Sequence, residues 1–201
     1  MRVYKLTDES MRTHNGFQWE IWKWYETSGE GKLCGPGWLH GYEHPLLAVL
    51  HNPIHVNFYK PRLFETWTGN GKIKKDGQMK LGSTKMKLVK EIPFPKITTT
   101  QRIAYGILCA LEVYDEPEFQ KWAENWLNGE DRTARAAVGA TMAARATIAA
   151  REATMAATMA ARAAVGATMA ARAAEAWAAM AATMAAGKIN LIRIAQKAMK
   201  Y

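Results

Sequence analysis

An alanine-rich tract from residue 134 to residue 186 is the feature that most constrains how this chain can fold. Alanine fills 28 of the 53 positions, and no proline interrupts the tract. Because alanine has the highest helix propensity of all residues, the sequence predicts a helical tract, either one helix or a folded-back hairpin. The tract offers few large side chains for a core, so we expect a globular domain only outside it.

The tract divides the chain into three predicted parts. Residues 1–130 are expected to form a compact module, residues 131–187 the alanine-rich helical tract, and residues 188–201 a short amphipathic C-terminal helix. A module of this length lies within the usual domain size of about 100–150 residues. A straight helix over the tract would span about 80 Å, which suits a spacer, an oligomerising arm or a binding rod.

The module is predicted to be α+β, with a small antiparallel or mixed sheet followed by two C-terminal helices that cover one sheet face. Alternation predicts four strands, at 2–6, 17–22, 62–68 and 84–92. A short helix is expected at 45–51 and a turn-rich segment at 69–82. Thr98 and Gln101 have capping-box spacing and predict a helix to about residue 114. A second helix should start after Asp115 and end near Gly129.

Most of the excess positive charge lies in the tail. Residues 131–201 carry ten basic and three acidic side chains, whereas residues 1–130 carry 17 and 15. A basic helix attracts nucleic acid or an acidic protein face, so we expect the tail to contact a partner. The predicted partner-binding residues are Arg135, Arg145, Arg151, Arg162, Arg172, Arg193 and Lys197. The alanine and methionine stripe of residues 134–186 could also pair with a second copy, giving a homo-oligomer.

Three tryptophans lie close together in the module, and they allow two interpretations. Trp19, Trp22 and Trp24 could all be packed in a core, which is the favoured interpretation because large aromatics dominate burial energy. They could instead form an aromatic platform for a base or a nucleotide. Together with Arg2 and His40, they are the predicted candidate pocket.

The densest set of metal-ligand side chains is Cys34, His40, Glu43, His44, His51 and His55. Pro45 directly follows His44 and disfavours helix there, and Pro53 breaks the register between His51 and His55. We therefore expect structural histidines rather than a metal site. The sequence predicts neither a cofactor nor a catalytic residue.

Cysteine usage and hydropathy bear on location. Only Cys34 and Cys109 occur, too few for a disulfide framework, and arginines interrupt the alanine tract too often for a membrane span. The expectation is a reduced, cytoplasmic setting without a membrane partner.

The order of motifs in the module resembles a known group of proteins. The motifs are Phe17–Glu20, the loop Cys34-Gly35-Pro36-Gly37-Trp38-Leu39-His40, Pro45–Leu50, Arg62–Glu65 and Thr84–Ile92. Over residues 1–130 they resemble an uncharacterised domain family of tailed bacteriophages and prophages, whose members often carry alanine-rich or pentapeptide-like tails of variable length. The resemblance implies a phage accessory protein in an infected bacterial host. A looser similarity is to the ADP-ribosyltransferase fold, with Arg2 and either Glu91 or Glu65 in the positions of its arginine and glutamate.

Three functional hypotheses follow. The leading one is a non-enzymatic phage protein that binds and inhibits a host or defence macromolecule, for example a ribonucleoprotein complex, in the manner of an anti-CRISPR protein. The second is an ADP-ribosyltransferase-like enzyme or nucleotide-binding protein. The third is a structural, oligomerising rod or virion component.

Overall fold

The computed structural model of this chain describes residues 1–52, 58–112, 117–132 and 190–201. The chain divides into two compact units, Met1–Lys96 and Ile97–Tyr201. The first unit contains the strands and the second contains only helices among its described residues, so this part of the chain is α+β. The alanine-rich tract lies outside the described residues, together with Arg135, Arg145, Arg151, Arg162 and Arg172. Its helical structure and its role in pairing therefore stay predictions.

The first unit contains nine strands, one short α-helix and a 3-10 turn at His14–Gly16 in its described residues. The strands are β1 (Arg2–Thr7), β2 (Arg12–Thr13), β3 (Phe17–Gln18), β4 (Tyr25–Glu26), β5 (Leu39–Gly41), β6 (Arg62–Thr68), β7 (Ile73–Asp76), β8 (Lys80–Ser83) and β9 (Lys85–Glu91). Helix α1 (Pro45–Leu50) starts after His44, whose ring accepts a hydrogen bond from the Leu46 amide, and has proline at its first turn.

The strands form a four-stranded sheet in the order β1-β6-β9-β4, a three-stranded sheet in the order β5-β8-β7, and the pair β2-β3. All of these named strands pair antiparallel. A register shift between Glu65 and Thr66 in β6 marks a bulge against β9. The structure therefore agrees with the predicted small antiparallel sheet module.

One core joins the two larger sheets. Its buried residues are Val3, Trp19, Leu39, Phe64, Leu81, Met86 and Leu88. Trp19 is the largest of them, and its indole nitrogen donates to the Thr13 hydroxyl at 2.9 Å, so the one polar atom of this ring is satisfied. Alternate residues of β6 and β9 point into this core, which leaves the residues between them on the opposite face.

Two sequence predictions for the first unit are wrong. The predicted strand at 17–22 ends at Gln18, and Trp22 at its far end is not extended, since its φ is 67°. The segment 69–82 is not only turn: it contains β7 and the start of β8, a hairpin whose charged residues hide its strand character. The predicted strands at 2–6, 62–68 and 84–92 are confirmed as β1, β6 and β9.

The described part of the second unit consists of three helices: α2 (Thr99–Leu111), α3 (Pro117–Asn128) and α4 (Leu191–Ala198). The predicted capping box is confirmed. The Thr98 hydroxyl accepts from the Gln101 amide at 3.1 Å, and the Gln101 side chain accepts from the Thr98 amide at 2.9 Å. Helix α3 ends before Gly129, whose φ of 82° suits glycine. No helix in the described parts of the chain is long and apolar enough to cross a bilayer.

Helix α4 packs against α2 within the second unit. It buries Leu191, Ile194, Ala195 and Ala198 on one side. The Gln101 side chain donates to the Met199 carbonyl at 3.0 Å, which ties the end of α4 to the start of α2. The predicted C-terminal segment, residues 188–201, thus contains a helix over Leu191–Ala198.

Candidate functional site

Three exposed tryptophans surround one lysine on the four-stranded sheet. The Lys87 ammonium lies 4.6 Å from the ring centroid of Trp22, 4.7 Å from that of Trp24 and 5.4 Å from that of Trp67. Lys85 lies 5.5 Å from the Trp24 ring. We call these five residues the tryptophan–lysine face. Attraction between each ring and the cation holds the group together without a surrounding core.

The sheet positions two members of this face directly. Trp67 of β6 is paired with Lys87 of β9, and on its other side it is paired with Arg2 of β1. Directly paired residues of an antiparallel sheet project from the same side, so Arg2, Trp67 and Lys87 form a row across three strands. The face therefore lies opposite the side that carries the core residues Val3, Phe64, Met86 and Leu88.

Trp22 reaches the face through an unusual backbone conformation. Its φ is 67°, its amide donates to the Leu88 carbonyl at 2.8 Å, and its ring meets that of Trp67 edge-on at 6.3 Å. The left-handed conformation costs a bulky residue about 1–2 kcal/mol.

The three rings are open to solvent. Trp22 is 58% exposed, Trp24 40% and Trp67 43%, whereas Trp19 is 1% exposed. Tryptophans with this much exposed ring area, grouped on one surface, are typical of binding sites. The favoured interpretation of the sequence, with all three clustered tryptophans in a core, is therefore confirmed for Trp19 and wrong for Trp22 and Trp24.

Carboxylates balance only part of the positive charge here. Glu26 pairs with Lys85 at 2.6 Å, and Glu65 accepts from the Trp67 indole nitrogen at 3.4 Å and lies 3.9 Å from Lys90. Within the described ranges no carboxylate lies at ion-pair distance from Lys87. The face thus presents flat aromatic surface around a cation that has no carboxylate within ion-pair distance in the part of the chain that the structure describes.

The comparison with protein families bears on the unit that carries this face. Residues 1–100 match the model of a family described as a domain of unknown function, DUF7666. A DUF7666 domain covers residues 1–100. No curated protein and no solved structure matches the chain. The matched residues include the whole first compact unit, Met1–Lys96.

The residues of the predicted pocket lie at three different places in the DUF7666 domain. Trp22 and Trp24 belong to the tryptophan–lysine face, and Arg2 lies beside Trp67 in the same row. Trp19 instead belongs to the core. His40 lies on β5, in the three-stranded sheet, where its ring is hydrogen-bonded to the Leu33 carbonyl.

Lys5 adds a buried cation on the core side of the DUF7666 domain. Its ammonium donates to the His40 carbonyl at 2.6 Å and lies 4.8 Å from the Trp19 ring. Burial lowers the pKa of Lys5 from 10.5 to about 7, because removing the ammonium from water disfavours its charged form. This lysine therefore titrates near neutral pH.

Three of the candidate metal ligands, His40, His44 and His51, make contacts within the fold. Burial lowers the pKa of His40, although its hydrogen bond to Leu33 acts in the opposite direction; burial also lowers the pKa of His44, which caps α1. His51 is buried and packs against the Tyr42 ring at 5.8 Å. Among the described residues no three histidine, cysteine, aspartate or glutamate side chains group as metal ligands, and His55 lies outside those residues.

The two carboxylates considered for an ADP-ribosyltransferase-like site are engaged elsewhere. Glu91 makes a two-pronged pair with Arg62, at 3.0 and 2.6 Å, and these hydrogen bonds lower the pKa of Glu91. Glu65 makes the contacts with Trp67 and Lys90 described above. Arg2 is separated from Glu91 by strand β6 in the sheet order.

Of the predicted partner-binding residues in the tail, the structure describes Arg193 and Lys197, which lie on α4. Arg193 and Lys197 are exposed, on the side of the helix that does not face α2. Their role in partner binding stays a prediction.

Sequence reasoning did not include Trp67, Lys85 and Lys87 in the site. One signal was available: alternation within 62–68 and 84–92 places Trp67 and Lys87 on the side opposite Phe64 and Met86. What alternation could not supply is the register between β6 and β9, which brings the two residues together.

Proposed function

We propose that this protein is a non-enzymatic accessory protein of phage origin that binds and inhibits a host or defence macromolecule in the bacterial cytoplasm. The specific contact surface is the tryptophan–lysine face of the DUF7666 domain. The observation that carries the proposal is the exposure of Trp22, Trp24 and Trp67 around Lys87.

Two physical arguments support a binding role for this face. Tryptophan is among the residues that contribute most to binding free energy, and here its rings are already held in place, so little side-chain entropy is lost on binding. In addition, the strained backbone at Trp22 is retained although a glycine would relieve it. The basic side chains of the tail, including Arg193 and Lys197, would add long-range attraction to an acidic partner.

The test compares variants of the full chain as bait in lysate from phage-infected bacteria. The proposal expects a saturable partner whose recovery falls in Trp22→Ala and Trp67→Ala and is unchanged in Tyr59→Ala. Tyr59 is a matched control because it is 79% exposed and lies outside the face. The partner's own activity should fall as the wild-type chain is added, and should not fall with the Trp67→Ala variant.

Other outcomes would contradict the proposal. If all three variants recover the partner equally, the tryptophan–lysine face is not the contact surface. A target that gains the mass of ADP-ribose when NAD is added would favour the enzyme hypothesis instead. A chain that only self-associates, without inhibiting anything, would favour the structural rod.

A further inference from the structure

The arrangement of charge and rings on the tryptophan–lysine face narrows the chemistry of its ligand. In the row across the sheet, Arg2 and Lys87 flank Trp67, so cation, ring and cation alternate. Trp22 and Trp24 enlarge the aromatic surface beside Lys87, and the Trp22 ring meets that of Trp67 edge-on. A ligand that matches this surface carries flat apolar groups alternating with anionic groups.

A single strand of nucleic acid has this repeat. Each nucleotide offers a base that stacks on an aromatic ring and a phosphate that pairs with a lysine or arginine. Stacking tolerates any base, so the ring arrangement needs no hydrogen-bond readout. A duplex does not present its base faces, since they are stacked inside the helix.

The central position of Lys87 favours nucleic acid over a protein partner. Lysine is depleted in the cores of protein interfaces, because its strongly hydrated ammonium is costly to bury. A phosphate would neutralise Lys87, which has no carboxylate within ion-pair distance among the described residues. Of the face's two lysines, Lys85 is already paired with Glu26, so Lys87 and the neighbouring Arg2 are the cations left to contact phosphates.

We propose that the tryptophan–lysine face binds single-stranded nucleic acid, with bases stacked on Trp22, Trp24 and Trp67 and phosphates held by Lys87 and Arg2. This inference rests on the proposed function in one respect only, that this face is the contact surface. It specifies that the macromolecule is bound through an exposed single strand, either free or within a ribonucleoprotein.

The experiment titrates the full chain against a fluorescein-labelled dT20 oligonucleotide and the matched dT20·dA20 duplex, following anisotropy and tryptophan fluorescence. Wild type should bind the single strand more tightly than the duplex, with quenching of tryptophan emission. Trp22→Ala and Trp67→Ala should each weaken single-strand binding by about tenfold, with little effect on the duplex. Tyr59→Ala is the control for loss of an exposed aromatic ring.

Two further variants separate the face from the basic tail. Lys87→Gln should reduce the slope of log K against log salt by about 0.7 for the single strand. The double variant Arg193→Ala/Lys197→Ala should weaken single strand and duplex alike, because its charges attract phosphate without recognising bases. Thermal unfolding of each variant shows that it remains folded before binding is compared.

The possible results decide between the two proposals. Equal affinity for single strand and duplex, or full single-strand binding by folded Trp22→Ala and Trp67→Ala, overturns the nucleic-acid inference. If those variants nevertheless lose a captured protein partner in lysate, the proposed function stands and the ligand is a protein. If those variants keep both single-strand binding and the captured protein partner, both proposals fail.

Discussion

The ammonium nitrogen of Lys87 lies 4.6 Å from the centre of the Trp22 ring, on the exposed side of a sheet. The two residues belong to different segments of the chain, which meet where the Trp22 amide donates to the carbonyl of Leu88. A cation over an exposed tryptophan ring is worth about 0.5–1 kcal/mol. This contact therefore helps to hold the 19–24 segment against β9.

A double-mutant cycle with Lys87→Met and Trp22→Ala should measure that contact. We expect a coupling of about 0.5–1 kcal/mol in the free energy of urea unfolding, since removal of either partner removes the same attraction. The control cycle uses Lys60 and Tyr59, whose ammonium and ring are 5.5 Å apart at a highly exposed site. A coupling no larger than in this control would show that Lys87 does not stabilise the face.

At position 22 the glycine variant should be more stable than the alanine variant. At position 67 the alanine variant should be the more stable of the two. Both replacements of Trp22 remove the ring, but only glycine adopts a φ of 67° without strain, so Trp22→Gly should be more stable than Trp22→Ala by about 1 kcal/mol. Trp67 lies in the extended strand β6, where Trp67→Gly should be less stable than Trp67→Ala by about 0.5–1 kcal/mol. Chemical denaturation of the four variants measures both differences. The same order at both positions would contradict the strain at Trp22.

Lys5 should make the stability of the chain rise with pH above neutrality. In the unfolded chain Lys5 is protonated below about pH 10.5, its ordinary pKa. In the native chain burial lowers its pKa to about 7, so Lys5 stays neutral between these two pH values. Stability should therefore increase from pH 7 to 10.5, by up to about 1.4 kcal/mol per pH unit. We expect the unfolding free energy of wild type, relative to Lys5→Met, to increase by about 2 kcal/mol between pH 7.5 and 9.0. A constant difference would mean that Lys5 stays charged, held by the His40 carbonyl and the Trp19 ring.

The packing of α4 on α2 should be needed for the stability of the second unit. Leu191 is fully buried, so Leu191→Ala should cost about 2–5 kcal/mol through lost burial and the cavity left behind. Arg193→Ala, on the exposed side of the same helix, should change stability by about 0.5 kcal/mol or less. Hydrogen exchange of the α2 amides reports the effect locally. Equal protection of α2 in the two variants would show that α4 does not support it.

Local signals were enough to predict several elements. The capping box at Thr98 and Gln101 fixed the start of α2, because both hydrogen bonds lie within one turn of the chain. The alternation of residues 62–68 predicted β6 for the same reason: the strand period is a property of the segment itself.

The candidate site was only partly predictable, and Trp22 shows why. Its neighbours alternate as in a strand, yet the amide of Trp22 pairs with Leu88 in a left-handed conformation. That conformation departs from the extended backbone that the local alternation predicts. The preference of large aromatic rings for burial therefore predicted a core position for Trp22, whereas the fold holds this ring on the surface.

The sequence by itself determined the elements whose signals are local: the capped helices, the alternating strands and the amphipathic C-terminal segment. Only the tertiary structure decided which tryptophan is buried, which cation is buried and which residues share a face. The physical reason is that register and burial depend on contacts between segments far apart in the chain. Lys5 lies under Trp19 and Lys87 lies among three exposed rings because strand pairing placed them there, although both are lysines in alternating strands.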